Sequence, residues 1–239
     1  MCGRYAVHAD VEELIERFKL KLIEAQVEPR YNIAPTQDIP VVIEAEQGRV
    51  LKSLRWGLVP RWAQDVAIGN KMINARAETL AEKPSFRTLL KSHRCVIPAS
   101  GFYEWRGETG KKTPYYIHRQ DDESFGFAGL WTQWLEKGSS KPPLQTCTII
   151  TTAANELMRP IHHRMPVILL PEACAEWLNP DNEENEQLAE LLVPYAKKDM
   201  EAYRVSPAVS SPQNQGEELT EPADEEPQSL SPQLAFDLS

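Results

Sequence analysis

The stretch RCVIPASGFYEW, residues 94–105, decides how the fold is read. It sets two short strand-like runs end to end, RCVIPA and GFYEWR. On a strand, successive side chains point to opposite faces, so Phe102 and Glu104 share one face while Tyr103 and Trp105 share the other. Working outward, similar short runs recur: PVVIEA (40–45), VLKSLRWG (50–57), TPYYIHR (113–119), FGFAGLW (125–131), TCTIIT (146–151) and MPVILL (165–170). Turn residues separate several of them, at Glu46-Gln47-Gly48, Gly107–Gly110 and Gly138–Pro143. Helices are fewer. A first one is expected from Val11 to Leu22, with Asp10 as its cap, Glu13 at capping-box spacing, and Leu14, Phe18 and Leu22 on one face. Others are expected at Ser85–Ser92, Ala153–Met158, Pro171–Trp177 and Glu183–Leu192. Many strands and few helices predict an α+β fold of curved, mostly antiparallel, barrel-like β-sheets with peripheral helices.

With 239 residues, 41% of them hydrophobic, the chain has enough apolar material for one large core. One domain is expected over residues 1–221. Residues 222–239 (PADEEPQSLSPQLAFDLS) form an acidic tail rich in Pro and Ser that is expected to be disordered. Its LAFDL end is either a short partner-binding motif or a frayed terminus. No internal repeat is visible.

The net charge of −9, from 26 basic and 35 acidic residues, argues at first against a nucleic-acid partner. The charges are unevenly spread, however. Residues 49–119 carry 14 basic and 5 acidic side chains, a net of +9, whereas residues 217–239 carry 7 acidic and no basic ones. The middle of the chain is basic and its end is acidic. No apolar run reaches membrane-spanning length, and the N-terminus lacks a signal-peptide core. The expected location is the cytoplasm, with association to the nucleoid when bound to DNA. Of the four cysteines, none forms a CxxC pair, which disfavours a four-ligand zinc site. Cys95 and Cys147 read as buried, inert thiols.

Five features carry chemistry, each beside an ordinary alternative. Cys2 follows Met1 directly. Loss of Met1 would leave a 1,2-aminothiol, with reference pKa values of about 8 and about 8.5. Such a group can attack an acyl carbon, or trap an aldehyde as an imine that the thiol closes to a five-membered thiazolidine. The alternative is a Cys that merely stands second. NARAET (74–79) places Asn74, Arg76 and Glu78 on one face if extended: Asn74 to orient an amine or carbonyl, Arg76 to hold a phosphate. Its alternative is a polar loop with an Arg76–Glu78 surface pair. Glu104, among aromatics, is a candidate desolvated acid or base, or else a solvent-facing carboxylate on an edge strand. In IHHRMP (161–166) one of the two histidines faces a site as a proton carrier, or both lie on the surface. In WGLVPRW (56–62), Trp56 reads as core and Trp62 as exposed, a platform for an unpaired base.

Together these motifs resemble one family. M-C-G-R-Y at the start, YNIAPTQ (31–37), WGLVPRW, INARAET (73–79), RCVIPASGFYEW, TTAAN (151–155), IHHRMPVIL (161–169) and SPAVSSPQNQG (206–216) stand in that order, and the chain is similar over residues 2–220 to the SRAP family, SOS response-associated peptidases now regarded as abasic-site processing proteins. The resemblance implies capture of abasic sites in single-stranded DNA through the mature N-terminal Cys, with a thiazolidine crosslink as product that shields the site from strand cleavage. By motif matching, Cys2 is the nucleophile, Asn74 positions it and the opened sugar, Glu104 is the acid/base carboxylate, and His162 assists ring opening. His163 falls on a variable position. Arg4, Asn32, Trp62, Arg76 and Arg164 are the implied DNA contacts. Where some members carry a basic residue shortly after NARxET, this chain has Pro84, with Arg87 the nearest downstream arginine. No metal or cofactor is implied; the partner is DNA with abasic sites, no membrane is involved, and a monomer is expected. Two other readings stay open: a thiol-dependent peptidase or amidase using Cys2, His162 and Glu104, including autocatalytic removal of Met1, and a non-catalytic DNA-binding module whose acidic tail recruits a partner.

Overall fold

The computed structural model describes residues 2–108, 112–182, 185–196 and 198–223. The element order is β1 (Tyr5–Val7), α1 (Val11–Phe18), β2 (Leu22–Ile23), β3 (Arg30–Ile33), β4 (Asp38–Ala45), β5 (Gly48–Trp56), β6 (Asn74–Arg76), α2 (Pro84–Ser92), β7 (Arg94–Ala99), β8 (Gly101–Arg106), β9 (Thr113–Arg119), β10 (Phe125–Trp134), β11 (Leu144–Ala153), β12 (Arg164–Pro166), β13 (Ile168–Leu169), α3 (Pro171–Leu178), α4 (Asn185–Leu191) and β14 (Met200–Arg204), with short 3-10 turns between.

Strands β11, β10, β7, β4 and β5 pair in sequence, and a parallel β5–β11 contact (Arg55↔Thr146, Trp56↔Cys147) closes them into a five-stranded barrel. The remaining strands of that sheet hang on its rim: β12 and β6 on β11, β13 on β10, and β2 on β5. A second sheet runs β14-β9-β8-β1-β3. This is the α+β, mostly antiparallel, barrel-like architecture that the strand runs predict.

Side-chain alternation builds the layers. Val41, Ile43, Cys95, Ile97, Phe127 and Ile149 face one way and join Cys2, Tyr5, Phe102 and Ile117 of the second sheet in one core. Val42, Val96, Ala128, Leu130 and Ile150, one residue out of phase, meet Leu14 and Phe18 of α1, Leu89 of α2 and Trp177 of α3 in another. The far face of the second sheet (Ala6, Tyr103, Tyr116) is covered by Val205, Val209 and Leu219. Cys95 and Cys147 are fully buried and burial raises both thiol pKa values, in keeping with inert core residues.

Four local expectations are corrected. Helix α1 ends at Phe18 rather than Leu22. Lys19 is left-handed (φ 54°), the Arg49 guanidinium takes the Phe18 carbonyl, and Leu22 then pairs with Val50 and is exposed. Asp10 does cap the helix, accepting from the Glu13 N–H at 2.8 Å. Glu13, however, turns its carboxylate to the Ser124 N–H, so the reciprocal half of the capping box is replaced by a tertiary contact. Ala153–Met158 is not a helix: β11 runs through Ala153, and Asn155 then makes a turn by accepting from the Met158 N–H while donating to the Tyr195 carbonyl. MPVILL is two short strands, because Val167 shifts the chain from β11 to β10.

At the C-terminal side, Pro222 bridges to Val205 and the Ala223 N–H donates to the Arg204 carbonyl. The LAFDL segment of the expected tail lies outside the described residues. Among the described residues no helix is long and apolar enough to cross a membrane, and no cluster of three or more His, Cys, Asp or Glu side chains is arranged to hold a metal.

Candidate functional site

The chain start is threaded along β8. Tyr5 pairs with Phe102 and Ala6 with Gly101, and the Tyr103 N–H donates to the Arg4 carbonyl at 2.9 Å. This antiparallel run carries Cys2 toward Glu104, which shares the inward face with Phe102 as strand alternation requires. Cys2 is fully buried. Burial, with a smaller contribution from the Glu104 charge, pushes its thiol up to about 12. Against the reference value of about 8.5, burial thus favours the neutral thiol.

Glu104 is only 6% exposed, so it is not the solvent-facing carboxylate of the ordinary alternative. Burial raises its carboxyl pKa, opposed by the positive charge of the chain's N-terminus and by Lys112. A carboxyl shifted upward in this way is suited to giving and taking protons closer to neutral pH.

Asn74 begins β6, which lies parallel to β11 (Asn74↔Ile149, Arg76↔Thr151). Its Nδ2 donates to the Cys2 carbonyl at 2.8 Å, the direct tie between NARAET and the chain start. Its Oδ1 is buried and accepts no hydrogen bond among the described residues, which leaves an acceptor beside Cys2.

His162 leads into β12. Its Nδ1 lies 3.0 Å from the Arg164 backbone nitrogen and 3.2 Å from the Arg164 carbonyl oxygen, so the main chain of that one residue holds the ring edge, as donor or as acceptor according to the tautomer. Burial, reinforced by the charge of the chain's N-terminus, lowers its pKa to about 4, so the ring is neutral at physiological pH. His163 stacks on it with ring centroids 4.3 Å apart and is exposed. Of the two histidines, His162 is thus the one turned toward the chain start's electrostatic environment. Cys2 is linked to Asn74 by the hydrogen bond on its carbonyl and to Glu104 by charge, while His162 and Glu104 both feel the charges of the chain's N-terminus and of Lys112.

The five expected DNA contacts divide. Trp62 is 63% exposed and Arg76 is exposed. Trp56 is core and donates its indole N–H to the Ile73 carbonyl, the division of roles the sequence suggests. Asn32, by contrast, is fully buried. Its Nδ2 serves the Val209, Ser211 and Asn214 carbonyls at 3.2, 3.0 and 2.8 Å, and its Oδ1 accepts from Arg4 at 2.8 Å. Arg4 also donates to the Val209 carbonyl at 2.6 Å and lies over the Trp105 ring. These two residues clamp the SPAVSSPQNQG segment onto the second sheet. Arg164 is likewise engaged, in a bidentate pair with Glu78 (2.5 and 2.9 Å) and with the Thr151 carbonyl at 2.6 Å. The strand of NARAET stops at Arg76 and Ala77–Thr79 turn into a 3-10 helix, so Glu78 leaves the face of Asn74 and Arg76 and pairs with Arg164. Sequence reasoning missed Lys112, whose charge reaches both Glu104 and His162; its place in the basic stretch was the available signal.

The chain matches the SOS response associated peptidase (SRAP) family over residues 1–212. It is 50% identical over 224 residues to the abasic site processing protein YoqW of Bacillus subtilis (strain 168), covering 92% of this chain and 99% of that one. It is 32% identical over 230 residues to the abasic site processing protein YedK of Escherichia coli (strain K12), covering 93% and 100%. A crystal structure of a Bacteroides thetaiotaomicron protein superposes with a TM-score of 0.83 at 30% identity, over 93% of this chain and all of that one.

Proposed function

The chain belongs to the SOS response associated peptidase family, and from that premise we propose that it processes abasic sites, capturing them in single-stranded DNA as a covalent thiazolidine on Cys2 of the mature chain. The observation that carries this reading is the chain start itself: buried Cys2 beside raised Glu104, its carbonyl held by Asn74 at 2.8 Å.

The chemistry runs as follows. An abasic deoxyribose is mostly a closed hemiacetal. Opening it takes a proton from the anomeric hydroxyl and returns one to the ring oxygen, work suited to Glu104 and the neutral His162. The α-amine freed by loss of Met1 attacks the aldehyde and expels water as the imine forms. The Cys2 sulfur then adds to the imine carbon while its proton passes to nitrogen, closing the ring. Because amine and thiol sit on one residue, this last step is intramolecular, and a neutral thiol suffices until the proton leaves. Asn74, with a bound carbonyl on one side and a free acceptor on the other, holds the attacking residue in place. Exposed Trp62 and Arg76 are fitted to a base and a phosphate, and initial binding weakens as salt rises.

The test is incubation of the mature protein with a single-stranded abasic oligonucleotide, followed by a denaturing gel and intact-mass measurement. The expected adduct has the mass of the Met1-less protein plus oligonucleotide minus one water, and Cys2→Ala abolishes it. An adduct unchanged by Cys2→Ala, or formed with Met1 retained, overturns the proposal.

A further inference from the structure

Strands β6 and β12 flank the end of β11 on opposite sides: Thr151 pairs with Arg76 on one and with Pro166 on the other. Asn74 begins the first flank and His162 precedes the second. The Glu78–Arg164 pair crosses from the 3-10 turn after β6 to the first residue of β12. It is not an ordinary surface ion pair. Nη1 and Nη2 each meet one carboxylate oxygen, the Arg164 side chain is only 14% exposed against 51% for Glu78, and Nη2 also holds the Thr151 carbonyl at 2.6 Å. The backbone of the same Arg164 meets His162 Nδ1 through its nitrogen at 3.0 Å and its carbonyl oxygen at 3.2 Å. Burial and position thus make Arg164 a joint: its side chain is fixed by Glu78 and its main chain fixes the imidazole.

We propose that Glu78 is a positioning residue, which acts through Arg164 to hold the His162 ring in a single orientation and a single tautomer and to keep the Asn74 and His162 arms in register. The role in crosslinking rests on the abasic-site reading above; the role in setting the tautomer does not. Glu78 touches no reacting atom in this scheme. With its carboxylate removed, the Arg164 side chain loses two of its four acceptor contacts, β12 loosens at its first residue, and the Arg164 main chain leaves His162 Nδ1. Either ring nitrogen can then carry the proton.

The experiment is ¹⁵N NMR of histidine-labelled full-length protein at neutral pH, with wild type, Glu78→Ala and Glu78→Gln, alongside single-turnover crosslinking at saturating abasic DNA. Wild-type His162 is expected to show one protonated and one unprotonated ring nitrogen. In Glu78→Ala the two signals move toward each other as tautomers mix, while His8, His93 and His118 keep theirs and certify the fold. The crosslinking rate falls by about tenfold or more, the scale of a misplaced catalytic group, with little change in DNA affinity. Glu78→Gln, which keeps one acceptor oxygen, restores part of both. Unchanged His162 signals in Glu78→Ala overturn the proposal, as does tighter DNA binding with an unaltered rate, which would make Glu78 a mere competitor for Arg164. Should Glu78→Ala not fold, the Glu78→Gln spectrum decides by the same criterion. If wild type forms no adduct at all, the abasic-site reading fails and the His162 signals still decide the tautomer.

Discussion

Asn32→Ala separates a structural clamp from a DNA contact. The Asn32 amide has two N–H groups and one oxygen, so it contributes three hydrogen bonds: two shared among the Val209, Ser211 and Asn214 carbonyls, and one accepted from Arg4. Val209 keeps its Arg4 donor at 2.6 Å, but Ser211 and Asn214 lose the Asn32 donor. At about 1 kcal/mol for each bond the truncation costs about 3 kcal/mol. For a chain of this size each kcal/mol lowers the thermal midpoint by about 2–4 °C, so the midpoint falls by about 6–12 °C. Because Asn32 is fully buried, affinity of the folded variant for abasic single-stranded DNA below its midpoint is little changed. Differential scanning calorimetry and a fluorescence-anisotropy titration read the two quantities. An unshifted midpoint with a large loss of DNA affinity refutes the clamp and restores Asn32 to the DNA interface.

Three further outcomes follow from the site. Burial raises the Glu104 pKa, and a carboxyl raised in the folded state contributes stability that is present below its unfolded pKa and lost as pH rises through the folded one. Glu104→Gln therefore melts higher than wild type at pH 7–8, with the gap closing toward about pH 4, where the unfolded carboxyl also protonates, and it loses crosslinking; a gap that widens on acidification contradicts this. His162, lowered to about 4, titrates in ¹⁵N NMR far below the ordinary histidine value of about 6.5. Its folded pKa is depressed, so its contribution to stability is lost as pH falls from the unfolded value toward 4, and a midpoint above 6 would show an open, solvated ring. Trp62→Ala leaves the melting temperature within about 1 °C, as expected for an exposed surface side chain, yet weakens single-stranded DNA binding by the 1–3 kcal/mol, roughly, of one stacked base; a lower melting temperature with unchanged binding assigns Trp62 to packing instead.

What lay in local pattern was legible before any coordinates. Alternation along GFYEWR put Phe102 and Glu104 on one face, and the structure keeps them there, because a strand's period of two is a backbone property. The Asp10 cap needs only the first helical turn. Trp56 inside and Trp62 outside follow from an apolar run breaking into a Pro-containing loop.

What the pattern could not supply was the partner of each polar group. YNIAPTQ marks Asn32 as special but not why; its carbonyl partners arrive from 177 to 182 residues away. Val11–Leu22 reads as one amphipathic helix because hydrophobic spacing carries no stop signal at Lys19; the stop comes from Arg49 and a strand pairing across the sheet. Cys2 carries in sequence a thiol of ordinary pKa, which is pushed up to about 12 only when the folded core buries it. Arg164 looks free for phosphate until Glu78 reaches it across β11. The sequence by itself determined which residues share a strand face, which chemistry the chain start offers, and the order of the motifs. Tertiary structure alone decided that the polar Asn32 and Glu104 are buried, which pKa values move, and which cations are already paired. Burial, desolvation and ion pairing depend on segments brought together from far along the chain, and no local period encodes that distance.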